Sequence, residues 1–245
     1  VLEANMRISS ISSSAVLGIT LGLGLIISGY ILGRAVSKAR AAERYVTVKG
    51  LAERVVEADI AIWPITFKET ENDLQRLQAR LDANSKKIRE FLAAEGFQDA
   101  DISESPVNIT DFETQSYKQP DERRQFRYVG RTTLILRSGD VPRVRQAMEH
   151  SGNLVGEGIV LEGDGYGTRA EFLFTSLNAV KPDMIAEATL DARAAAEQFA
   201  RDSRSEVGAI RKATQGFFSI NDRDLYSPDR KHIRVVTTIE YYLKD

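Results

Sequence analysis

The stretch HIRVVTTIEYYL, residues 232–243, carries the clearest strand pattern in the chain. Every second side chain is apolar or β-branched, which would place all of them on one face of a strand. The members of that face are Ile233, Val235, Thr237, Ile239, Tyr241 and Leu243. Such alternation is typical of an antiparallel strand that packs one face against a core. A second strand is predicted before it, over residues 208–220, with a polar loop over residues 221–231 between them.

The chain before these strands alternates between helical and extended patterns. Apolar residues at helical spacing predict three helices, over residues 72–95, 141–150 and 182–204. Runs of β-branched or alternating residues predict strands over residues 45–49, 54–69, 102–114, 125–137, 154–162 and 170–177. The order is strand, strand, helix, repeated about three times. It predicts an α+β fold with largely antiparallel sheets built from strand-strand-helix units.

Single residues refine these elements. Gly50 is predicted to end the first strand, and the first two strands are predicted to form a hairpin. Pro64 inside the second strand favours an edge or a bulge, and Pro182 is placed in the first turn of the third helix. The alanine-rich part of that helix, residues 192–200, favours close packing inside the protomer over packing between subunits.

An apolar segment, residues 15–34, precedes the predicted α+β part. Its core of 19 residues would cover about 28 Å as a helix, close to the thickness of a bilayer's hydrocarbon region. Signal-peptide cores are about 7–15 residues long, so a retained anchor is favoured over a cleaved signal. A cleaved signal stays an alternative, because residues 37–39 have small side chains at cleavage-site offsets. The predicted divisions are a polar N-terminal segment (1–14), a transmembrane anchor or uncleaved signal (15–34), a juxtamembrane linker (35–44) and an α+β domain (45–245).

Four glycines inside the apolar segment are regularly spaced. Gly18 and Gly22 form one GxxxG pair, and Gly29 and Gly33 form another. The offsets keep all four on one stripe of a helix, where a neighbouring helix can approach backbone to backbone. The pattern predicts self-association in the membrane, with the bilayer itself as the other partner of residues 15–34. The alternative is that glycine is simply common in membrane helices.

Flanking charge bears on orientation. Arg34, Lys38, Arg40 and Arg44 follow the apolar segment, while Arg7 is the one basic residue before it. Taken alone, the positive-inside rule would place the C-terminal part in the cytoplasm.

Composition excludes several function classes. The 33 basic and 35 acidic residues are interspersed and leave a net charge of -2, so no nucleic-acid footprint is indicated. There is no cysteine, which removes disulfides, thiolate metal sites and cysteine nucleophiles. With only His150 and His232, a histidine-based metal site or triad has few residues to use. We expect no catalytic residue, no metal and no cofactor, although a pair of carboxylates among the acids stays possible.

Four local motifs have a structural explanation that is preferred to a chemical one. The glycine-rich residues 163–167 precede a predicted strand, whereas a phosphate loop precedes a helix. Asn221, Asp222, Asp224 and Asp229 offer calcium-ligand types but lack the glycine and final glutamate of an EF-hand loop. His150 is placed at a helix C-terminus, where a cation interacts well with the helix dipole. Residues 108–110 match a glycosylation sequon and are interpreted as a strand fragment.

Several segments occur in the order and spacing seen in the SIMPL-domain family. They are YVTVKG (45–50), ADIAI (58–62), YVGRTTLILR (128–137), DARAAAEQFA (191–200) and VGAI (207–210). Residues 45–245 therefore resemble that family of bacterial periplasmic and outer-membrane immunogenic proteins. Two turns depart from its pattern: Gly50 is followed by Leu51 and Ala52 instead of a Gly-x-Gly turn, and Ala58-Asp59 replaces the usual Pro-Asp.

The resemblance implies an exported, mostly periplasmic α+β domain that forms large rings or channel-like oligomers in some members. It implies a link to envelope or oxidative stress, and it supplies no catalytic residues. The leading hypothesis is therefore a non-enzymatic homo-oligomer, held in the bacterial inner membrane by a single span with its C-terminal domain in the periplasm. The alternatives are a periplasmic binding module for a small ligand or peptide, or an envelope hydrolase.

Overall fold

The computed structural model describes residues 2–41, 44–114, 125–163 and 168–244, and of residues 2–15 and 39–41 it describes the backbone alone. The helices are α1 (Leu2–Ala41), α2 (Leu74–Ala94), α3 (Val141–His150), α4 (Gly152–Gly156) and α5 (Leu177–Asp202). The strands are β1 (Tyr45–Glu57), β2 (Ile60–Glu71), β3 (Ile102–Glu104), β4 (Asn108–Asp111), β5 (Tyr128–Ser138), β6 (Glu171–Leu173), β7 (Glu206–Gln215), β8 (Ser219–Asp222) and β9 (Arg230–Lys244).

The strands form two sheets. One has the order β1-β9-β7, with β8 also paired to β9, and the other has the order β3-β5-β2-β6, with β4 also paired to β5. The pairs within the second sheet are antiparallel, and so are the pairs of β7 and β8 with β9. The predicted α+β class with antiparallel sheets, preceded by one apolar helix, is confirmed.

Chain contacts divide the protein into two compact units. The first comprises Val1–Ala52, Asp183–Phe217 and Val235–Asp245, and the second comprises Glu53–Pro182 and Phe218–Arg234. Two long strands, β1 and β9, contribute residues to both units.

In the first unit, α5 buries a stripe of small residues. Every fourth side chain is buried: Met184, Ala188, Ala192, Ala196 and Ala200. Ala192 and Ala196 pack with Val46, Ile239 and Tyr241 in one apolar cluster. The alternating face predicted for β9 is the face that is buried, apart from the half-buried Leu243. The alanine-rich segment therefore packs inside the protomer, as predicted, because alanine lets a helix approach a sheet closely.

Gly50 does not end a strand, contrary to the sequence-based prediction. β1 runs through it to Glu57. A Cβ at Gly50 would lie 1.8 Å from Ala188 O and 2.4 Å from Ala192 N. Gly50 is therefore needed for the close approach of β1 to α5, and not for a turn. Pro182 also differs from the prediction, because it lies inside α5, five residues after its start.

In the second unit, α2 packs on the second sheet. Its buried residues include Leu77, Leu81, Ile88 and Leu92, at the spacing predicted. Asp73 caps the helix by accepting a hydrogen bond from Arg76 N at 2.9 Å, and Gly96 follows its end with φ of 91°.

β2 presents alternate residues to this core. Ala61, Trp63, Ile65 and Phe67 are buried, whereas Ile60 and Ile62 on the opposite face are half-buried. β6 pairs only with residues 60–62, so Pro64 is paired with β5 alone, consistent with the predicted edge character.

One predicted hairpin and one predicted strand are wrong. β1 and β2 do not form a hairpin, because they belong to different sheets and β1 pairs with β9. Residues 154–162 do not form a strand: the segment starts in α4, where Leu154 is buried, and contributes one isolated bridge, between Leu161 and Phe67. Periodicity alone does not distinguish a helix from a strand in a short apolar run. Packing against the core, which buries Leu154, goes with the helix. Part of the glycine-rich segment, residues 164–167, lies outside the described residues.

Candidate functional site

The first candidate site is the apolar part of α1. Val16–Lys38 is 23 residues long, its most apolar 18-residue stretch has a mean hydropathy of 2.0, and none of that stretch is buried. A helix of that length covers about 34 Å, enough to cross a bilayer. A core helix of similar composition would be covered by the rest of the fold. The full exposure leaves two interpretations, a single-pass membrane anchor or a signal sequence.

The four predicted glycines lie on one side of α1. At 100° per residue, Gly18, Gly22, Gly29 and Gly33 fall within an arc of about 60°. A Cβ placed at any of them would meet no atom of the described residues within 4 Å, so the stripe is open on its outer side. Gly24 is equally open but lies about 150° from the centre of the stripe. The common face is as predicted, and its role in self-association stays a prediction.

The C-terminal end of the apolar stretch carries a cation–aromatic pair. The guanidinium carbon of Arg34 lies 4.8 Å from the ring centroid of Tyr30. Tyrosine with a neighbouring cation is typical of the level of lipid headgroups.

The acidic cluster considered for calcium is already neutralised. Asp222 pairs with Lys231, Asp224 with Arg223 at 2.7 Å, and Asp229 with Arg145 at 2.7 Å. The hydrogen bond from Arg223 lowers the pKa of Asp224 below its ordinary value. Within the described residues, no group of three or more His, Cys, Asp or Glu side chains is arranged to hold a metal ion.

Both histidines have acidic neighbours. His150 lies at the end of α3, as predicted, with its Nδ1 2.8 Å from Glu95 Oε1. His232 Nε2 lies 3.7 Å from Glu53 Oε2 across neighbouring strands. The sequon residues 108–110 lie in β4, consistent with their interpretation as a strand fragment.

One important contact was missed by the sequence analysis. The Asp59 carboxylate accepts hydrogen bonds from Thr175 N, Thr175 Oγ1 and Ser176 N, at 2.8–3.1 Å. Burial raises the pKa of Asp59, but these hydrogen bonds outweigh it and lower the pKa below the ordinary value. Asp59 thereby connects the start of β2 to Thr175 and Ser176, which precede α5. The Ala58-Asp59 pair, at the family's Pro-Asp position, was the available signal.

A surface groove of about 360 Å³ lies beside α3 in the second unit. One wall is a stripe of that helix: Pro142, Arg145, Gln146 and Glu149. Glu57, Ala58 and Asp229 form the other side. Apolar side chains thus line part of the groove and charged ones surround it. We refer to it as the α3 groove.

The turn between β8 and β9 exposes two large apolar residues. Leu225 is 66 % exposed and Tyr226 is 88 % exposed. The composition of residues 221–231 predicts a polar loop, in which these two residues are the large apolar exceptions. We refer to Leu225 and Tyr226 together as the knob.

β7 is an exposed edge strand. None of its ten residues is buried, and among the described strands only β9 pairs with it. Unpaired edges of this kind are templates for association with another chain. Bulges near Ile210 and the charged pair of Arg211 with Glu240 partly protect this edge.

Together these features define a class of protein: an α+β body of antiparallel sheets with an exposed apolar helix at its N-terminal side. The SIMPL family model, described as "Protein of unknown function (DUF541)", matches residues 46–233. The chain belongs to the SIMPL family, which confirms the resemblance seen in its sequence. No curated protein matches the chain.

Proposed function

We propose that this chain is a non-enzymatic membrane protein that assembles into a large homo-oligomer, ring-shaped or channel-like, in the bacterial envelope. In this proposal α1 stays in the inner membrane as a single span and the family domain lies in the periplasm. The assembly serves the response to envelope or oxidative stress, as the family resemblance implies.

The observation that carries the proposal is the open glycine stripe on a fully exposed apolar helix. Lipid chains are as apolar as leucine, so helices associate in a bilayer mainly where small residues allow close packing. The stripe supplies such a surface at four positions. Exposed β7 supports the same proposal, because joining edges between copies would cover it.

Orientation is the part of the proposal on which two arguments disagree. The family resemblance favours export, whereas Arg34 and Lys38 just after the apolar stretch favour a cytoplasmic C-terminal part. We give the resemblance more weight, because it extends over the whole domain. Protease added outside the inner membrane of spheroplasts should digest the C-terminal domain. Full protection there, with digestion only after lysis, would reverse the proposed orientation.

Light scattering coupled to size exclusion tests the assembly, using the full chain in detergent. We expect a mass of many protein copies after subtraction of the detergent. A single copy at micromolar concentration would refute the proposal. A specific small ligand or peptide bound by such a monomer would instead favour the binding-module alternative.

A further inference from the structure

The knob is held on a rigid turn. Tyr226 N donates to Asp224 Oδ1 at 2.9 Å, and Arg223 N donates to Arg230 O at 2.8 Å. The turn is therefore ordered by its own hydrogen bonds while Leu225 and Tyr226 point into solvent. Because the backbone of the turn is already ordered, docking costs mainly the conformational entropy of the two side chains.

The α3 groove matches the knob in size and chemistry. Pro142 and Glu149 are seven residues apart on α3, so the helical wall is about 10 Å long, enough for two adjacent side chains. Ala58 and Pro142 offer apolar surface for the rings and methyl groups. Glu149 and Gln146 at the rim offer acceptors for a tyrosine hydroxyl.

We propose that the knob of one chain docks into the α3 groove of a second copy, and that the second copy's knob docks reciprocally into the first. This inference rests on the proposed homo-oligomer and names one of its contacts. Both features belong to the second unit, and Asp229 of the groove follows Tyr226 by only three residues. In a two-fold dimer every contact between the chains occurs twice. A knob and a groove on the same face of one chain can therefore form two identical contacts with a second copy.

The area involved is enough for a weak dimer contact. A buried tyrosine removes about 150–250 Å² from solvent, and leucine adds somewhat less. Two knobs with the groove walls they cover therefore bury on the order of 1,000 Å² in total, near the lower limit for a specific interface. Within a larger assembly such a contact acts together with the membrane helices, which raise the local concentration of the chains.

Charge argues against an anionic lipid surface as the occupant of this region. Residues 222–230 contain three acids and two bases, and Glu57, Arg145 and Glu149 of the groove add two acids and one base. The surface is thus net negative, whereas a site for anionic headgroups is basic.

The cysteine-free chain allows a direct cross-linking test. Leu225→Cys and Gln146→Cys chains, each with a different tag and with Tyr226 intact, are co-expressed and extracted as full chains. A disulfide needs Cα atoms about 4.4–6.8 Å apart, so it forms only if the knob enters the groove of another chain. Arg143→Cys replaces Gln146→Cys in the control, because Arg143 is exposed on the same helix but lies outside the groove wall.

We expect a disulfide-linked dimer carrying both tags with Gln146→Cys and only background with Arg143→Cys. We also expect Tyr226→Ser, in an otherwise unchanged chain, to weaken association at least roughly tenfold. Equal cross-linking in the two pairs, or none while the wild-type chain remains oligomeric, would overturn this inference and leave the proposed function standing. A wild-type monomer with no cross-link would overturn both. Tyr226→Ser chains that associate as tightly as the wild-type chain would also overturn the inference.

Discussion

Replacing Gly50 by alanine tests the packing of β1 against α5. A Cβ there would lie 1.8 Å from Ala188 O, whereas ordinary contact begins near 3.4 Å. The helix would have to recede by about 1.6 Å, and gaps of about half that size already lose a quarter to a half of the dispersion attraction. The atoms struck, Ala188 O and Ala192 N, are backbone atoms at the spacing of a helical hydrogen bond, so side-chain movement cannot relieve the clash.

The receding helix would lose a second contact as well. Leu51 N donates to Asp191 Oδ2 at 2.9 Å, directly beside the clash. Overpacking usually costs about 1–3 kcal/mol, and a backbone clash with a lost hydrogen bond belongs above that range. We expect Gly50→Ala to lower the free energy of unfolding by about 4 kcal/mol. For a folded part of this size, the melting temperature should fall by about 8–16 °C.

The assay is urea and thermal denaturation of the full chain in detergent, followed by circular dichroism. Gly152→Ala is the matched control, because it makes the same chemical change at the first residue of α4, where a Cβ would meet no described atom within 4 Å. We expect the control to be neutral or to stabilise the protein by about 0.5 kcal/mol. A Gly50→Ala protein within about 1 kcal/mol of wild type would refute the close-approach explanation.

Three further substitutions test the glycine stripe, the Asp59 hydrogen bonds and the buried Thr237 hydroxyl. The double substitution Gly22→Ile and Gly29→Ile should reduce the oligomer mass measured in detergent. Gly24→Ile, on the other side of α1, should leave that mass unchanged. Equal effects of the two proteins on the mass would contradict a role of the stripe in association. Asp59→Asn should destabilise the protein by about 1–2 kcal/mol at pH 7. The pKa of Asp59 is lower in the folded state than its ordinary value of 3.8, so its ionised carboxylate contributes to stability above pH 3.8. That stability is lost as the pH falls through the lower folded-state pKa. The unfolding free energies of the two proteins should therefore converge below pH 3.8. A constant difference across that range would contradict the hydrogen-bond explanation. Thr237→Val should stabilise the protein by about 1 kcal/mol in urea denaturation, because the buried Thr237 Oγ1 has no hydrogen-bond partner among the described residues. A loss of stability would show that the hydroxyl forms a hydrogen bond.

The elements that could be predicted from the sequence are those in which local signals agree. α3 was predicted to the residue, because Asp140 caps it, Pro142 occupies its first turn and His150 closes it. β9 was recognisable because its period of two persists over most of its length. The glycine stripe of α1 also follows from spacing alone, since an isolated helix needs no tertiary information to place residues on one face.

The features that could not be predicted depend on what packs nearby. Gly50 has the same sequence signature whether it ends a strand or admits a helix, and only the position of α5 decides. β1 pairs with β9, the first described strand with the last, whereas the tendency of neighbouring strands to pair favoured a hairpin of β1 with β2. The α3 groove needs Asp229 beside a helix some eighty residues earlier in the chain, which no local pattern indicates.

Native mass spectrometry of the protein extracted from membranes tests the central claim most directly, since it reports both the mass of each chain and the number of copies. We predict complexes of several copies in which every chain retains the residues of α1. Single chains lacking the residues of α1 would contradict the account.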